Sequence, residues 1–231
     1  MVNKTVFLFD IDGTLLHTGW AGTRSLSKSF QKIYGIENAF QGITMDGKTD
    51  PEIVKEAVHR NGIKQEIEPA ELERIFAEYI AFLQEEIWIS PNYRLMPGVK
   101  EMLEDLHARG DVLLGIASGN IQQGAEIKLK RGGIDKYFLF GGYGSDSEDR
   151  GEVIRIAISR AKELLPGIEL SKEDIYVIGD TPRDIIFGRQ AHATTVGVAT
   201  GRYPLEELKE FLPDYLLANL TFYKTLLDPI S

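Results

Sequence analysis

The stretch that most limits what this chain can fold into runs Val6-Phe-Leu-Phe-Asp10-Ile-Asp12-Gly13-Thr14-Leu15. Four apolar residues end abruptly in two carboxylates and a glycine. So short and apolar a run reads as a buried strand, and the polar turn behind it puts charge at the strand's carboxyl end. In an extended chain, side chains two apart share a face. Asp10 and Asp12 would then reach one ligand if the strand ran on through them. Gly13 lets the backbone turn sharply afterwards. Two neighbouring carboxylates repel each other, and a divalent cation relieves that repulsion; hard oxygen donors suit magnesium. The plainer alternative is a solubilised strand end with Asp capping a turn.

The rest of the chain bounds where such a strand belongs. At 231 residues, there is room for one large domain or a core plus a smaller second domain. With 43% hydrophobic and 26% charged residues, the chain buries a real core and is not disordered. The net charge of −9 argues against a nucleic-acid or anionic-membrane surface. An anionic substrate therefore needs locally concentrated positive charge or a metal. The absence of cysteine excludes disulfides, thiolate metal sites and a Cys nucleophile, and lends no support to secretion. The first apolar run is broken by Asp10 and does not read as a signal peptide. No stretch approaches a membrane span, so a cytoplasmic location is expected.

Along the chain, Thr5 to Phe9 reads as the first strand. A helical block follows. Leu26, Phe30 and Ile33 give a helix over 21–34, and Asp50-Pro51 reads as an N-cap with Pro at the first helical position, starting a helix to about Arg60. Pro69 starts a longer helix with Leu72, Ile75, Phe76, Tyr79, Ile80, Leu83 and Ile87 on one stripe. Residues 16–90 thus read as an all-helical insertion. From Pro97 onward helix and strand alternate, with strands at 112–117, 137–140, 175–178, 194–198 and 215–217 and a terminal helix. Ser171-Lys-Glu-Asp174 resembles a capping box with room for one turn.

Strand–helix alternation implies a doubly wound parallel sheet with helices on both faces, an α/β fold that gathers ligands at strand carboxyl ends. Asp10, Ser118 and Asp180 all fall at such ends. Their neighbourhoods carry the pattern further. Asp10-Ile-Asp12-Gly13-Thr14 resembles the first motif of the haloacid dehalogenase-like phosphohydrolases, and Ser118, Arg150 and Gly179-Asp180-Thr-Pro-Arg-Asp184 follow in the order of that superfamily's remaining motifs. The resemblance spans about Thr5 to Leu227. It implies a Rossmann-like catalytic core over 1–15 and 91–231, with a helical cap domain over 16–90.

The resemblance also implies roles. Asp10 corresponds to the nucleophile that forms an aspartyl-phosphate, and Asp12 to the general acid/base, whose backbone carbonyl also binds magnesium. An acid at that position disfavours dehalogenation, since halide needs no proton to leave. Ser118, with the amides of Gly119 and Asn120, would hold phosphoryl oxygens; an ordinary helix N-cap is the competing reading. The third motif is normally a Lys. Here Arg150 is the only cation in its loop and takes that role, with Lys128 and Lys130 on the preceding helix as alternatives; a surface pairing of Arg150 with Asp146, Glu148 or Asp149 also stays open. Asp180 would ligate Mg2+ directly, with Asp184 binding it or its waters. His59, His107 and His192 show no metal spacing.

Within the cap, the loop over 42–50 stands out, because Gly47 permits a close turn and Lys48 could meet a carboxylate or second phosphate. His17, Trp20, Arg24 and Lys48 are the substrate-side candidates, although a plain interhelical loop explains the segment as well. The resemblance favours a magnesium-dependent phosphatase of a small phosphomonoester, similar to phosphoglycolate phosphatases. A phosphomutase such as β-phosphoglucomutase uses the same motifs and stands second; a non-catalytic phosphate-binding regulator stands third. Phosphonate hydrolysis would need a Schiff-base Lys, for which Lys28 and Lys48 carry no specific support. Oligomeric state is not legible.

Overall fold

In a computed structural model, residues 4–227 are described. Six strands form one parallel sheet in the order β5 (Phe140–Tyr143), β4 (Val112–Ser118), β1 (Thr5–Phe9), β6 (Ile175–Gly179), β7 (Thr194–Val198), β8 (Tyr215–Leu217). β1 lies in the middle, with Phe9 in register with Ile116 of β4 and Ile178 of β6. The pleat sorts its side chains by parity. Phe7 and Phe9 join Tyr176, Ile178 and the helix α4 (Val99–Ala108) on one face. Val6 and Leu8 join Val177 and α6 (Arg150–Glu163) on the other. Both faces are buried, so the strand reads as an unbroken apolar run.

Between β1 and β4 the chain leaves the sheet. β2 (Leu16–Thr18) and β3 (Tyr93–Leu95) pair antiparallel as a two-stranded ribbon. The helices α1 (Ala21–Tyr34), α2 (Asp50–Arg60) and α3 (Pro69–Ile89) lie between them. They pack on their own apolar cluster, with Phe30, Phe40, Val54, Ile75, Tyr79, Leu83 and Ile87 at its centre. Ile121, just ahead of α5 (Gln122–Arg131), joins this cluster and ties it to the sheet side.

Several local expectations are corrected. β1 stops at Phe9, so Asp10 and Asp12 are not consecutive same-face positions of one strand. The Ile11 carbonyl instead accepts from Thr14, Leu15 and Leu16, which winds the segment into a tight turn. Thr49, not Asp50, is the N-cap of α2; its side chain accepts from Glu52 N–H, and Asp50 is the first helical residue. The strand expected over 137–140 lies at Phe140–Tyr143, and Asp135–Tyr137 is a 3₁₀ turn. The regular elements of the insertion are helices except for Leu16–Thr18, and the terminal helix, Leu220–Leu226, is 3₁₀. The one-turn element at Lys172–Asp174 carries the expected capping box with Ser171. Between β6 and β7 lies α7 (Pro182–Gln190), and α8 (Leu205–Lys209) precedes β8.

Candidate active site

Adjacency of β4, β1 and β6 brings three chain segments to one edge. Asp10 follows β1, Ser118 ends β4 and Asp180 follows β6, and all three line a cavity of about 860 Å³. The Ser118 hydroxyl lies close enough to Asp10 to favour its carboxylate form. Arg150, the first residue of α6, reaches in from the β5 side and places Nη2 3.2 Å from Asp10 Oδ1 and 2.5 Å from Asp184 Oδ1. It is not paired at the surface: the residue is 2% exposed. Its buried Nε–H has no partner among the described residues. Burial pushes the Asp10 carboxyl up to about 6, against the pull of the Arg150 guanidinium and with a further push from Asp184.

Asp180 is held beside Asp10. Its Oδ1 accepts from the Thr14 hydroxyl at 2.8 Å. Gly13 and Gly201 flank the carboxylate so closely that a Cβ at either position would overlap it. Burial and the charges of Asp10 and Asp184 raise the Asp180 carboxyl well above the usual carboxylate range. Oxygens of Asp10, Asp180 and Asp184 lie within 4.8 Å of one another, all on buried residues. Three crowded carboxylates with one guanidinium form a donor set that fits a hard divalent cation, which would relieve the remaining repulsion. Asp184 has both oxygens engaged: Oδ1 by Arg150, and Oδ2 by the Thr181 hydroxyl and amide in a capping box that starts α7. Asp10 and Asp180 could therefore contact such a cation directly, and Asp184 through water.

Asp12 lines the same cavity and is held from the α5 side. Its Oδ2 accepts from Asn120 Nδ2 at 2.8 Å and from Lys128 Nζ at 2.6 Å. Asn120 also donates from Nδ2 to Ser118 Oγ at 2.9 Å, and its Oδ1 accepts from Lys128. The Asn120 side chain thus serves Asp12 and Ser118 rather than the cavity alone. The Gly119 carbonyl accepts from Asp50 N–H at 2.7 Å. Lys130 is exposed on α5, away from the site.

The helical side supplies the opposite wall. His17, Trp20 and Lys48 line the cavity; Arg24 does not. Arg24 bonds Glu86 at 2.7 Å and the Gly19 carbonyl at 2.6 Å, so its charge is spent within the cap. Lys28 pairs with the same Glu86, and Lys48 pairs with Glu56 while remaining on the wall. Sequence reasoning missed Arg94, which lies across the ribbon from His17, and Arg202 after β7; both line the cavity. Neither sits in a motif, and only the ribbon pairing and the sheet order bring them there.

A family model described as haloacid dehalogenase-like hydrolase matches residues 4–192. The chain belongs to the haloacid dehalogenase-like hydrolases. Among relatives of this hydrolase, a pyrophosphatase PpaX from Listeria monocytogenes is 27% identical over 228 residues, covering 94% of this chain and 93% of the relative. Two solved structures share the fold. One is described as a predicted phosphoglycolate phosphatase from Haemophilus somnus (TM-score 0.71, 19% identity, 99% of each chain). The other is CbbY from Rhodobacter sphaeroides in complex with phosphate (TM-score 0.68, 18% identity, 96% of each chain). The whole fold, the α1–α3 block and the six-stranded parallel sheet together, fits these neighbours. Among the described residues no helix is long and apolar enough to cross a membrane.

Proposed function

We propose that this hydrolase is a magnesium-dependent phosphatase of a small phosphorylated metabolite, acting through an aspartyl-phosphate on Asp10. The observation that carries this reading is the convergence on Asp10, at the carboxyl edge of β1, of the Ser118 hydroxyl, the Arg150 guanidinium and Asp180. An Asp10 oxygen attacks phosphorus as the bond to the leaving oxygen breaks, and Asp12 gives that oxygen its proton. Asp12 then takes a proton from the water that hydrolyses the acyl phosphate. Ser118, the amides of Gly119 and Asn120 and the Arg150 guanidinium receive the phosphoryl oxygens. The unpartnered Nε–H of Arg150 is one donor such an oxygen would satisfy. Asp10 and Asp180, with the Asp12 carbonyl, would hold Mg2+ and Asp184 its waters; when bound, the ion neutralises charge on the phosphoryl group. We assign residues 16–90 to the cap and 1–15 with 91–231 to the core.

The cavity is lined by His17, Lys48, Arg94, Lys128, Arg150 and Arg202 in a chain of net charge −9. Asp10, Asp12, Asp46, Asp50 and Asp180 line the same cavity, so an anionic ester would be received by these side-chain cations together with a bound divalent ion, and the PpaX relative's name adds diphosphate to the candidates. The test is phosphate release by wild type and Asp10→Asn, with magnesium and with chelator. The panel comprises phosphoglycolate, hexose phosphates, nucleotides, pyrophosphate and aryl phosphates. Release should require both magnesium and Asp10, with kcat lowered on the order of 10³-fold or more in Asp10→Asn. Undiminished release by that variant, or indifference to chelator, overturns the reading.

A further inference from the structure

With Arg150 taken as the third-motif cation, Lys128 is left without a role, yet it is 4% exposed on the wall of the cavity. It lies on α5, eight residues beyond Asn120 and on the opposite flank of the site from Arg150. Its ammonium donates to Asp12 Oδ2 at 2.6 Å and to Asn120 Oδ1. A buried ammonium is retained only where its donors are matched, and here Asp12 and Asn120 both accept from it, with the Asp50 carboxyl close by. The cap roofs the pair. A Cβ on Gly22 of α1 would stand 3.5 Å from Lys128 Nζ and 3.7 Å from the Tyr79 hydroxyl of α3. Asp50, at the start of α2, accepts from Ile121 N–H at 2.8 Å and feels the Lys128 charge.

We propose that Lys128 is a positioning residue for Asp12, and that through it the seated cap orients the group that protonates the leaving oxygen. Asn120 and Lys128 both take the same oxygen of Asp12, Oδ2. Oδ1 is left to carry the proton. In the forward step Asp10 forms a bond to phosphorus, the bond from phosphorus to the ester oxygen breaks, and the proton on Asp12 passes to that oxygen. The leaving alcohol departs neutral and Asp12 is left as a carboxylate facing Lys128. Without Lys128, Asp12 keeps one anchor, Asn120, on a side chain 41% exposed. Its carboxyl then samples rotamers that miss the leaving oxygen. Arg150 and Lys128 thus divide the cationic work, Arg150 at the nucleophile and Lys128 at the acid.

This inference rests on the phosphatase reading, and the experiment separates the two. kcat/KM is measured for phenyl, 4-nitrophenyl and 2,4-dinitrophenyl phosphate with wild type, Lys128→Met, Lys128→Gln and Asn120→Ala. Thermal unfolding selects the variants that fold; either Lys128 variant suffices, and Asn120→Ala reports the second anchor of Asp12. Phenoxide needs its proton to leave and dinitrophenoxide does not. A positioning role predicts a loss on the order of 10²-fold for phenyl phosphate and less than about fivefold for the dinitrophenyl ester. In an Asp12→Asn background the same substitutions should add nothing, because the group they orient is gone. An equal loss along the series, or none, overturns the positioning role and leaves the phosphatase reading intact. Wild type that releases phosphate from no ester overturns that reading instead.

Discussion

Asp50 shows how one residue can serve structure at an electrostatic cost. Its carboxylate accepts the Ile121 amide, its own N–H donates to the Gly119 carbonyl, and it is buried beside Lys128. Burial raises its pKa from 3.8 to about 6, despite the pull of Lys128 and the Ile121 amide. The folded chain therefore favours the neutral acid more than the unfolded chain does. The resulting stability is full below pH 3.8, declines as pH rises and is gone above about 6; the shift corresponds to about 3 kcal/mol. Asp50→Asn retains an acceptor for Ile121 and removes the charge. Urea unfolding of variant and wild type from pH 4 to 7.5 should show the variant gaining relative stability as pH rises; a pH-independent difference would rule this out. Asp50 looked like a plain N-cap in the sequence because the Asp-Pro pair is a strong local signal, and only the docking onto Gly119 and Ile121 reveals its other partners. Asp10 and Asp180 were legible because each ends an apolar strand. Lys128 was legible only as an alternative to Arg150, since its contact with Asp12 arises from the rotation of α5 and carries no local signature.

At the scale of elements, the site depends on how closely the loop ahead of α2 approaches the turn between β4 and α5. Gly119 makes the approach possible: a Cβ there would overlap the Lys48 carbonyl. Further bonds clamp the same contact. Arg183 of α7 pairs bidentately with Glu52 at 2.6 and 2.9 Å, Thr49 donates to the Glu148 carbonyl at 2.9 Å, and Arg202 reaches Asp46 at 3.2 Å. Gly119→Ala should keep the sheet intact and push the loop away. We expect kcat/KM to fall at least about tenfold, with far-UV circular dichroism unchanged; full activity would show that the close approach is dispensable. Arg183→Gln removes a half-exposed pair, so its effect on stability should stay within about 1 kcal/mol, while KM rises and loses part of its salt dependence. The order of strands and helices was readable from periodicity and Gly/Pro punctuation. β5 was displaced because Gly141 and Gly142 suggest a loop, whereas at the sheet edge Gly142 lets α6 pack against the strand, a Cβ there overlapping the Val153 carbonyl. β2 and β3 escaped notice because three-residue strands have no periodicity of their own and form only against each other.

The whole molecule divides its apolar burial between the sheet, with a cluster on each face, and the helical cap with its own. Ile121 and the polar clamp around Asp50 join the two parts, and the β2–β3 ribbon carries the chain between them. A cap with a separate core should lose its packing before the sheet does when that core alone is weakened. Phe30 is the residue to weaken: fully buried, its ring meets Phe40 at 4.7 Å and Tyr34 at 5.3 Å. Phe30→Ala should cost about 3–5 kcal/mol, and the sheet clusters do not include the cavity it leaves. Both tryptophans belong to the cap side of the chain, Trp20 at the head of α1 and Trp88 near the end of α3. The guanidinium of Arg131, from α5, stacks 5.1 Å over the Trp88 ring, so the fluorescence of that residue also senses whether the cap is seated. Far-UV circular dichroism reports the whole chain. In urea, wild type should show a single transition by both probes, whereas Phe30→Ala should lose its tryptophan signal and its phosphatase activity at a lower concentration than its ellipticity. Coincident midpoints in the variant would mean that cap and sheet unfold as one unit, and that the clamp at Asp50 couples them more strongly than their separate cores divide them.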